Sequence, residues 1–221
     1  MPRVGSGPRL LYVMGGGGGS GNALASVEIF DPQTNSWTAG VPLPEERSQV
    51  AAAALQGKIY LVGGTGASSK VEAFDPQAGA WAEVAPMLTG REVPAAAAVD
   101  GRVYAIGGRS GGNSLGTVEA FDPQTGVWAA VAPMPTARYG AGAAVLDGKI
   151  YVVGGYTGTT YLATVEVYDP ATNAWSQAPP MGTARSGPGV AALGGKIYAV
   201  GGGNDDEHAL SCAEVFDPQT Q

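Results

Sequence analysis

Residues 154–170 run Gly-Gly-Tyr-Thr-Gly-Thr-Thr-Tyr-Leu-Ala-Thr-Val-Glu-Val-Tyr-Asp-Pro. The stretch opens on a glycine pair at the end of the apolar run 150–153 and closes on aromatic-Asp-Pro. A glycine pair permits positive φ or close backbone approach, and a proline cannot donate to a sheet ladder. The segment therefore reads as the end of one strand, a loop, and a complete next strand. Working outward, the same marks recur five times. Tyrosines stand at Tyr12, Tyr60, Tyr104, Tyr151 and Tyr198, and glycine pairs open at Gly15, Gly63, Gly107, Gly154 and Gly201. The aspartates are Asp31, Asp75, Asp122, Asp169 and Asp217, separated by 44, 47, 47 and 48 residues. Six residues after four of them comes a tryptophan (Trp37, Trp81, Trp128, Trp175), and ten after each tryptophan an arginine (Arg47, Arg91, Arg138, Arg185).

Between these marks lie strand patterns. The small apolar runs 50–55, 95–99, 141–146 and 190–193 suit innermost strands crowded at an axis. Gln56-Gly57, Asp100-Gly101, Asp147-Gly148 and Gly194-Gly195 are two-residue hairpin signals. The runs 59–62, 103–106, 150–153 and 197–200 are apolar throughout, as strands covered on both faces should be, and 10–14 stands in the same place. Third strands are expected at 27–30, 71–74, 118–121, 165–168 and 213–216, and each tryptophan opens an outer fourth strand. No helix fits this spacing.

These marks in register resemble the kelch repeat family across nearly the whole chain, with the kelch domains of BTB-kelch ubiquitin-ligase substrate adaptors as the nearest likeness. The resemblance implies an all-β kelch β-propeller of four-stranded antiparallel blades. The chain reads as one domain, 1–221, with repeats of approximately 1–46, 47–90, 91–137, 138–184 and 185–221. The first and last repeats are incomplete. Met1–Arg9 lacks an inner-strand pattern, and the fifth tryptophan would fall at position 223. The expectation is a fragment of a six-bladed ring with a gap of about one blade, against a tight five-bladed ring that uses 1–9 as an irregular inner strand. Fixed spacing marks Trp81, Trp128 and Trp175 as largely buried between blades. The repeat arginines could pair with a glutamate or with backbone carbonyls as framework, or could contact a ligand; their strict period favours framework.

The copies also show what varies. Asp to Trp, Trp to Arg and Arg to Tyr keep their lengths, whereas the second glycine to Asp spans 15, 11, 14, 14 and 15 residues. Length variation thus sits in the loop between second and third strands, and loops carry specificity. In an up-down blade this loop shares a face with the segment around each arginine. In the adaptors the resemblance points to, the substrate peptide contacts residues just after Gly-Gly and just after the repeat arginine. Here those are Thr65, Arg109 and Tyr156, with Ser48, Glu92, Tyr139 and Ser186; Gly17 and Gly203 offer only backbone. The cationic pocket some adaptors use for acidic peptides is not reproduced.

Composition trims the function classes. Net charge is −7 with no Lys/Arg cluster, so neither nucleic acid nor an anionic membrane is an expected partner. Charged residues are 14% and hydrophobic residues 44%, which suits a folded core rather than a disordered chain. Cys212 is the only cysteine and cannot form an internal disulfide, compatible with a cytoplasmic protein. The glycine pairs are not followed by a helix or by Gly-Lys-Ser/Thr, which removes a nucleotide loop, and Gly15–Gly19 reads as a glycine loop. His208, in the acidic run 204–208, has no second histidine to share a metal. Among kelch propellers, copper radical oxidases need two histidines, so that activity is excluded in this chain alone. No cofactor is expected. The expected function is protein or peptide binding, with substrate recognition for a ubiquitin ligase in view. A sialate-epimerase-like carbohydrate enzyme and an actin-binding scaffold are the alternatives.

Overall fold

The computed structural model describes residues 10–19, 21–205 and 209–220. Residues 1–9, Asp206, Glu207 and His208 lie outside them, and with them the readings made of the N-terminal segment and of the lone histidine. The described residues form five antiparallel blade sheets and one two-stranded hairpin, with no helix among them. The first holds β1 (Leu11–Met14), β2 (Val27–Asp31) and β3 (Ser36–Ala39). The second is β4 (Ala51–Leu55), β5 (Lys58–Val62), β6 (Val71–Asp75) and β7 (Ala80–Val84). The third is β8 (Ala95–Val99), β9 (Arg102–Ile106), β12 (Val118–Asp122) and β13 (Val127–Val131); a small extra hairpin, β10 (Arg109–Ser110) and β11 (Asn113–Ser114), rises from its loop. The fourth is β14 (Gly142–Leu146), β15 (Lys149–Val153), β16 (Val165–Asp169) and β17 (Ala174–Ala178). The fifth is β18 (Gly189–Leu193), β19 (Lys196–Val200) and β20 (Ala213–Phe216). Within each full blade the strands follow chain order.

The first strands are innermost: β4 packs beside β8, β8 beside β14 and β14 beside β18. Alanine and glycine dominate these strands because only short side chains fit where blades converge. The hairpins at 56–57, 100–101, 147–148 and 194–195 have both central residues at positive φ, as Gln56 (51°) and Gly57 (79°) show. That is the primed turn matching strand twist. At the other turn, the Asp of each Asp-Pro accepts the amide two residues on, at 2.8–3.0 Å in all five copies.

Each blade interface has one apolar cluster, giving four for five blades. The repeating unit is a trio of rings. Tyr60 of one blade meets Phe121 of the next at 5.8 Å, and Phe121 meets Trp128 at 5.3 Å; Tyr104, Tyr168 and Trp175 repeat it at 5.7 and 5.1 Å. The indole of Trp128 donates to Ala85 O, and that of Trp175 to Ala132 O, both at 2.8 Å on the preceding blade. Burial is less uniform than the even spacing predicts. Trp128 is 4% exposed, but Trp81 and Trp175 are only partly buried, although all three indoles donate to the preceding blade. Trp37, with no preceding blade beside it among the described residues, is 53% exposed. Among the described residues no cluster joins the fifth sheet to the first, and Leu11, Val13, Leu193, Val200 and Val215 are exposed on these end blades.

Candidate functional site on the arginine face

The repeat arginines are framework. Arg91 is fully buried, and its guanidinium donates to Gly107 O (2.7 Å), Thr117 O (3.0 Å) and the Glu119 carboxylate, all in the third blade. Its backbone stays with the second blade: its N–H donates to Ser68 O and its carbonyl accepts from Gly64 N–H, at 3.1 and 3.0 Å. Arg47, Arg138 and Arg185 repeat the pattern, pairing with Glu72, Glu166 and Glu214 at 3.0, 2.8 and 2.6 Å. Each arginine is thus a rivet, with backbone on one blade and side chain in the next. Burial pushes the Arg91 and Arg138 guanidinium pKa values below the ordinary range, opposed by the carboxylates beside them. Buried charges are tolerated only when paired in this way.

The rivet explains the first glycine of the first four pairs. Gly107 has φ +59°, and a Cβ there would stand 2.5 Å from the carbonyl oxygen of Arg138. The partner glutamates, three residues before each repeat aspartate, were not singled out in the sequence as a group. Glu28, Glu72, Glu119, Glu166 and Glu214 stand at that place in all five copies, a signal as regular as the arginines.

One residue beyond each arginine the chain turns to the surface, and there the seven expected positions come together. The two columns are bridged in pairs within each blade. Thr65 N–H donates to Ser48 O at 3.0 Å, and Glu92 and Arg109 exchange two backbone hydrogen bonds at 2.9 Å. Tyr139 and Tyr156 exchange two as well, and Ser186 does so with Gly203. One residue further on, Val93 N–H donates to Gln49 O, Gly140 to Val93 O and Gly187 to Gly140 O, stitching neighbouring blades around the axis.

The side chains complete a row with distinct chemistry at each step. The Ser48 and Thr65 hydroxyls are 2.6 Å apart. Arg109 Nε donates to Glu92 at 2.8 Å, and Glu92 also accepts from Gly66 N–H at 2.7 Å. The Gly66 amide, then Arg109, holds the Glu92 carboxyl below its usual pKa, and Glu92 holds Arg109 above its own. Arg109 lies over the Tyr139 ring, 5.3 Å from its centroid. Tyr139 and Tyr156 meet edge to face at 5.5 Å, and Tyr156 contacts Tyr161 at 4.6 Å. Tyr139, Tyr156, Tyr161, Ser186, Gly203 and Asn204 line a cavity of about 420 Å³. Tyr161, inside the loop that varies in length, joins the site without having been expected there. Among the described residues no group of three or more His, Cys, Asp or Glu is placed to hold a metal ion. No helix of the described residues is long and apolar enough to cross a membrane.

Comparison with known sequences fits this geometry. The Kelch motif matches five times, over residues 2–44, 46–88, 94–135, 137–182 and 184–221. The chain belongs to the kelch-repeat family. Among relatives, Kelch-like protein 35 of Mus musculus is 45% identical over 56 residues, 25% of this chain and 10% of the relative. An F-box/kelch-repeat protein of Arabidopsis thaliana is 43% identical over 54 residues, 24% of this chain and 14% of the relative. Beta-scruin of Limulus polyphemus is 39% identical over 54 residues, 24% and 6%. Each match is about one repeat long, so the chain spans a small part of these proteins. The kelch repeats make this propeller an interaction module in type.

Proposed function

We propose that this kelch propeller binds a protein partner through its arginine face, at the row formed by Ser48, Thr65, Glu92, Arg109, Tyr139, Tyr156 and Ser186. The observation that carries the reading is the contrast within one segment. The arginines are identical and buried in every copy, whereas the residue after each is solvent-accessible and changes from Ser to Glu to Tyr to Ser. A framework that fixes the backbone while releasing the next side chain is a scaffold for recognition. Similarity to Kelch-like and F-box/kelch-repeat proteins supports a role as the substrate-receiving part of a ubiquitin-ligase assembly. Catalysis has less support, since among the described residues of this face no nucleophile is paired with a base. A cytoplasmic location accords with the lone cysteine.

The test is affinity measurement with a purified partner, comparing wild type with Arg109→Ala/Tyr156→Ala on this face and Gln124→Ala/Thr125→Ala on the opposite turns. Loss with the first pair alone is expected. Equal loss with both pairs would remove the arginine face as the binding surface.

A further inference from the structure

The tyrosine end of the row has an electrostatic bias that says what kind of side chain it receives. Consider the charges on this face among the described residues. Arg47, Arg91, Arg138 and Arg185 are consumed by their partner glutamates. The remaining cations are Lys70, paired with Glu45 and Glu72, and Arg109, paired with Glu92. Glu46 and Asp205 are exposed and stand in no ion pair among the described residues. Among the described residues the face therefore carries surplus negative charge and no surplus cation.

At its tyrosine end three phenol rings border one cavity, together with Ser186, Gly203 and Asn204. The ring set already shows its preference: the Arg109 guanidinium sits over Tyr139. Among the described residues, Tyr156 and Tyr161 have no such cation over them. Aromatic faces attract cations through the ring quadrupole, and the attraction grows as water is excluded. Loss of solvent and the nearby Asp205 charge both push the Tyr156 hydroxyl pKa upward, in keeping with a negative potential there. An acidic or phosphorylated segment would meet that potential with the wrong sign.

We propose that the cavity bordered by Tyr139, Tyr156 and Tyr161 seats the cationic tip of an arginine or lysine in a basic segment of the protein partner. This rests on the reading that the arginine face is the binding face. Asp205 supplies the counter-charge and the rings supply the contact surface. Because the rings rather than the hydroxyls do the binding, phenylalanine should substitute for tyrosine.

The probes are capped nine-residue Gly-Ser peptides carrying one central Arg, Lys, Ala or Glu, titrated into the whole chain by NMR. The Arg and Lys peptides should bind about tenfold tighter than the Ala peptide, with shifts centred on Tyr156 and Tyr161. Tyr156→Ala and Tyr161→Ala should each remove most of that advantage, and Tyr156→Phe should keep it within about twofold. Two half-exposed positions are used so that a folding defect in one variant leaves the other as the test. Glu or Ala peptides binding as well as Arg would overturn the proposal. So would tetramethylammonium binding in the cavity when no Arg or Lys peptide does, since that describes a small-molecule site. A partner mapped to this face through an acidic or apolar segment would overturn the cation reading alone. A partner mapped to the opposite turns would overturn the face itself.

Discussion

Arg138 and Tyr139 are adjacent in the chain and belong to different regions of the molecule. Arg138 is buried, its guanidinium held by Gly154 O, Thr164 O and the Glu166 carboxylate. Tyr139 is partly exposed, its ring touching Arg109 on one neighbouring blade and Tyr156 on its own. The first position is the same residue in every copy; the second never settles. The contrast teaches how a repeat fold separates stability from recognition without separating them in sequence. The rivet fixes the peptide backbone on both sides of the face residue, so the face side chain changes freely while its position does not.

The largest effect should come from pulling a rivet. Arg138→Ala leaves the buried Glu166 carboxylate without its cation and the carbonyls of Thr136, Gly154 and Thr164 without its donors. Its cost should lie toward the top of the about 3–5 kcal/mol that breaking a buried pair carries. Tyr139→Ala, one residue on, should cost about 1 kcal/mol or less. Urea denaturation of the two variants makes the measurement. Similar losses at both positions would dissolve the distinction between framework and face.

The tryptophans sharpen the same contrast by blade. Trp128→Ala should cost about 3–4 kcal/mol, within the range for a large aromatic lost from a core. Trp37→Ala, at the same repeat position but 53% exposed, should cost under about 1 kcal/mol. A large loss at Trp37 would mean that its exposed face is covered in solution.

Glycine gives a third step, with conformation held constant. Gly107 (φ +59°) and Gly111 (φ +56°) share the left-handed region. A Cβ at Gly107 meets Arg138 O at 2.5 Å, while one at Gly111 meets nothing within 4 Å. Alanine at Gly111 should cost about 1 kcal/mol from conformation alone. Alanine at Gly107 should cost about 2–3 kcal/mol, because the rivet's carbonyl must also move. Equal costs would show that the close approach is relieved elsewhere.

Much of the framework was legible in the sequence because repetition makes spacing a measurement. The ten third- and second-strand segments form where the apolar runs and Asp-Pro stops place them, and the arginines prove to be buried framework. The variable loop pointed to two columns of residues that the structure sets side by side on one face. What spacing could not give was contact. Ser48 to Thr65, Glu92 to Arg109, Tyr139 to Tyr156 and Ser186 to Gly203 are each 17 apart, yet the pairing appears only once the first and second strands bring loop and segment together. Tyr161 was missed for a related reason. It stands within the loop of changing length, where no fixed offset exists, and reaches Tyr156 because that loop folds back on itself. Uneven tryptophan burial was also invisible, since equal spacing says nothing of how far each neighbouring blade covers the ring.

The smallest expected effect tests whether the face has its own electrostatic order. Glu92 titrates below its ordinary value chiefly because the Gly66 amide donates to it, with Arg109 second and burial opposing both. A depressed carboxylate stabilises the fold above its unfolded pKa, about 4.3, and that contribution fades as pH falls through the lower folded value. Its size is small, because the group is near solvent and screened. Carboxyl NMR should place the Glu92 midpoint below about 4.3 in the wild type. Arg109→Ala should raise that midpoint only part of the way, because the backbone donor remains. If the midpoint returned fully to the ordinary value, Arg109 rather than the loop backbone would be what orders Glu92. The row would then be a chain of side-chain contacts instead of one set by the bridged backbone beneath it. Binding of a cationic peptide should weaken over the same acid range, because protonating Glu92 leaves the Arg109 charge uncompensated beside the tyrosines.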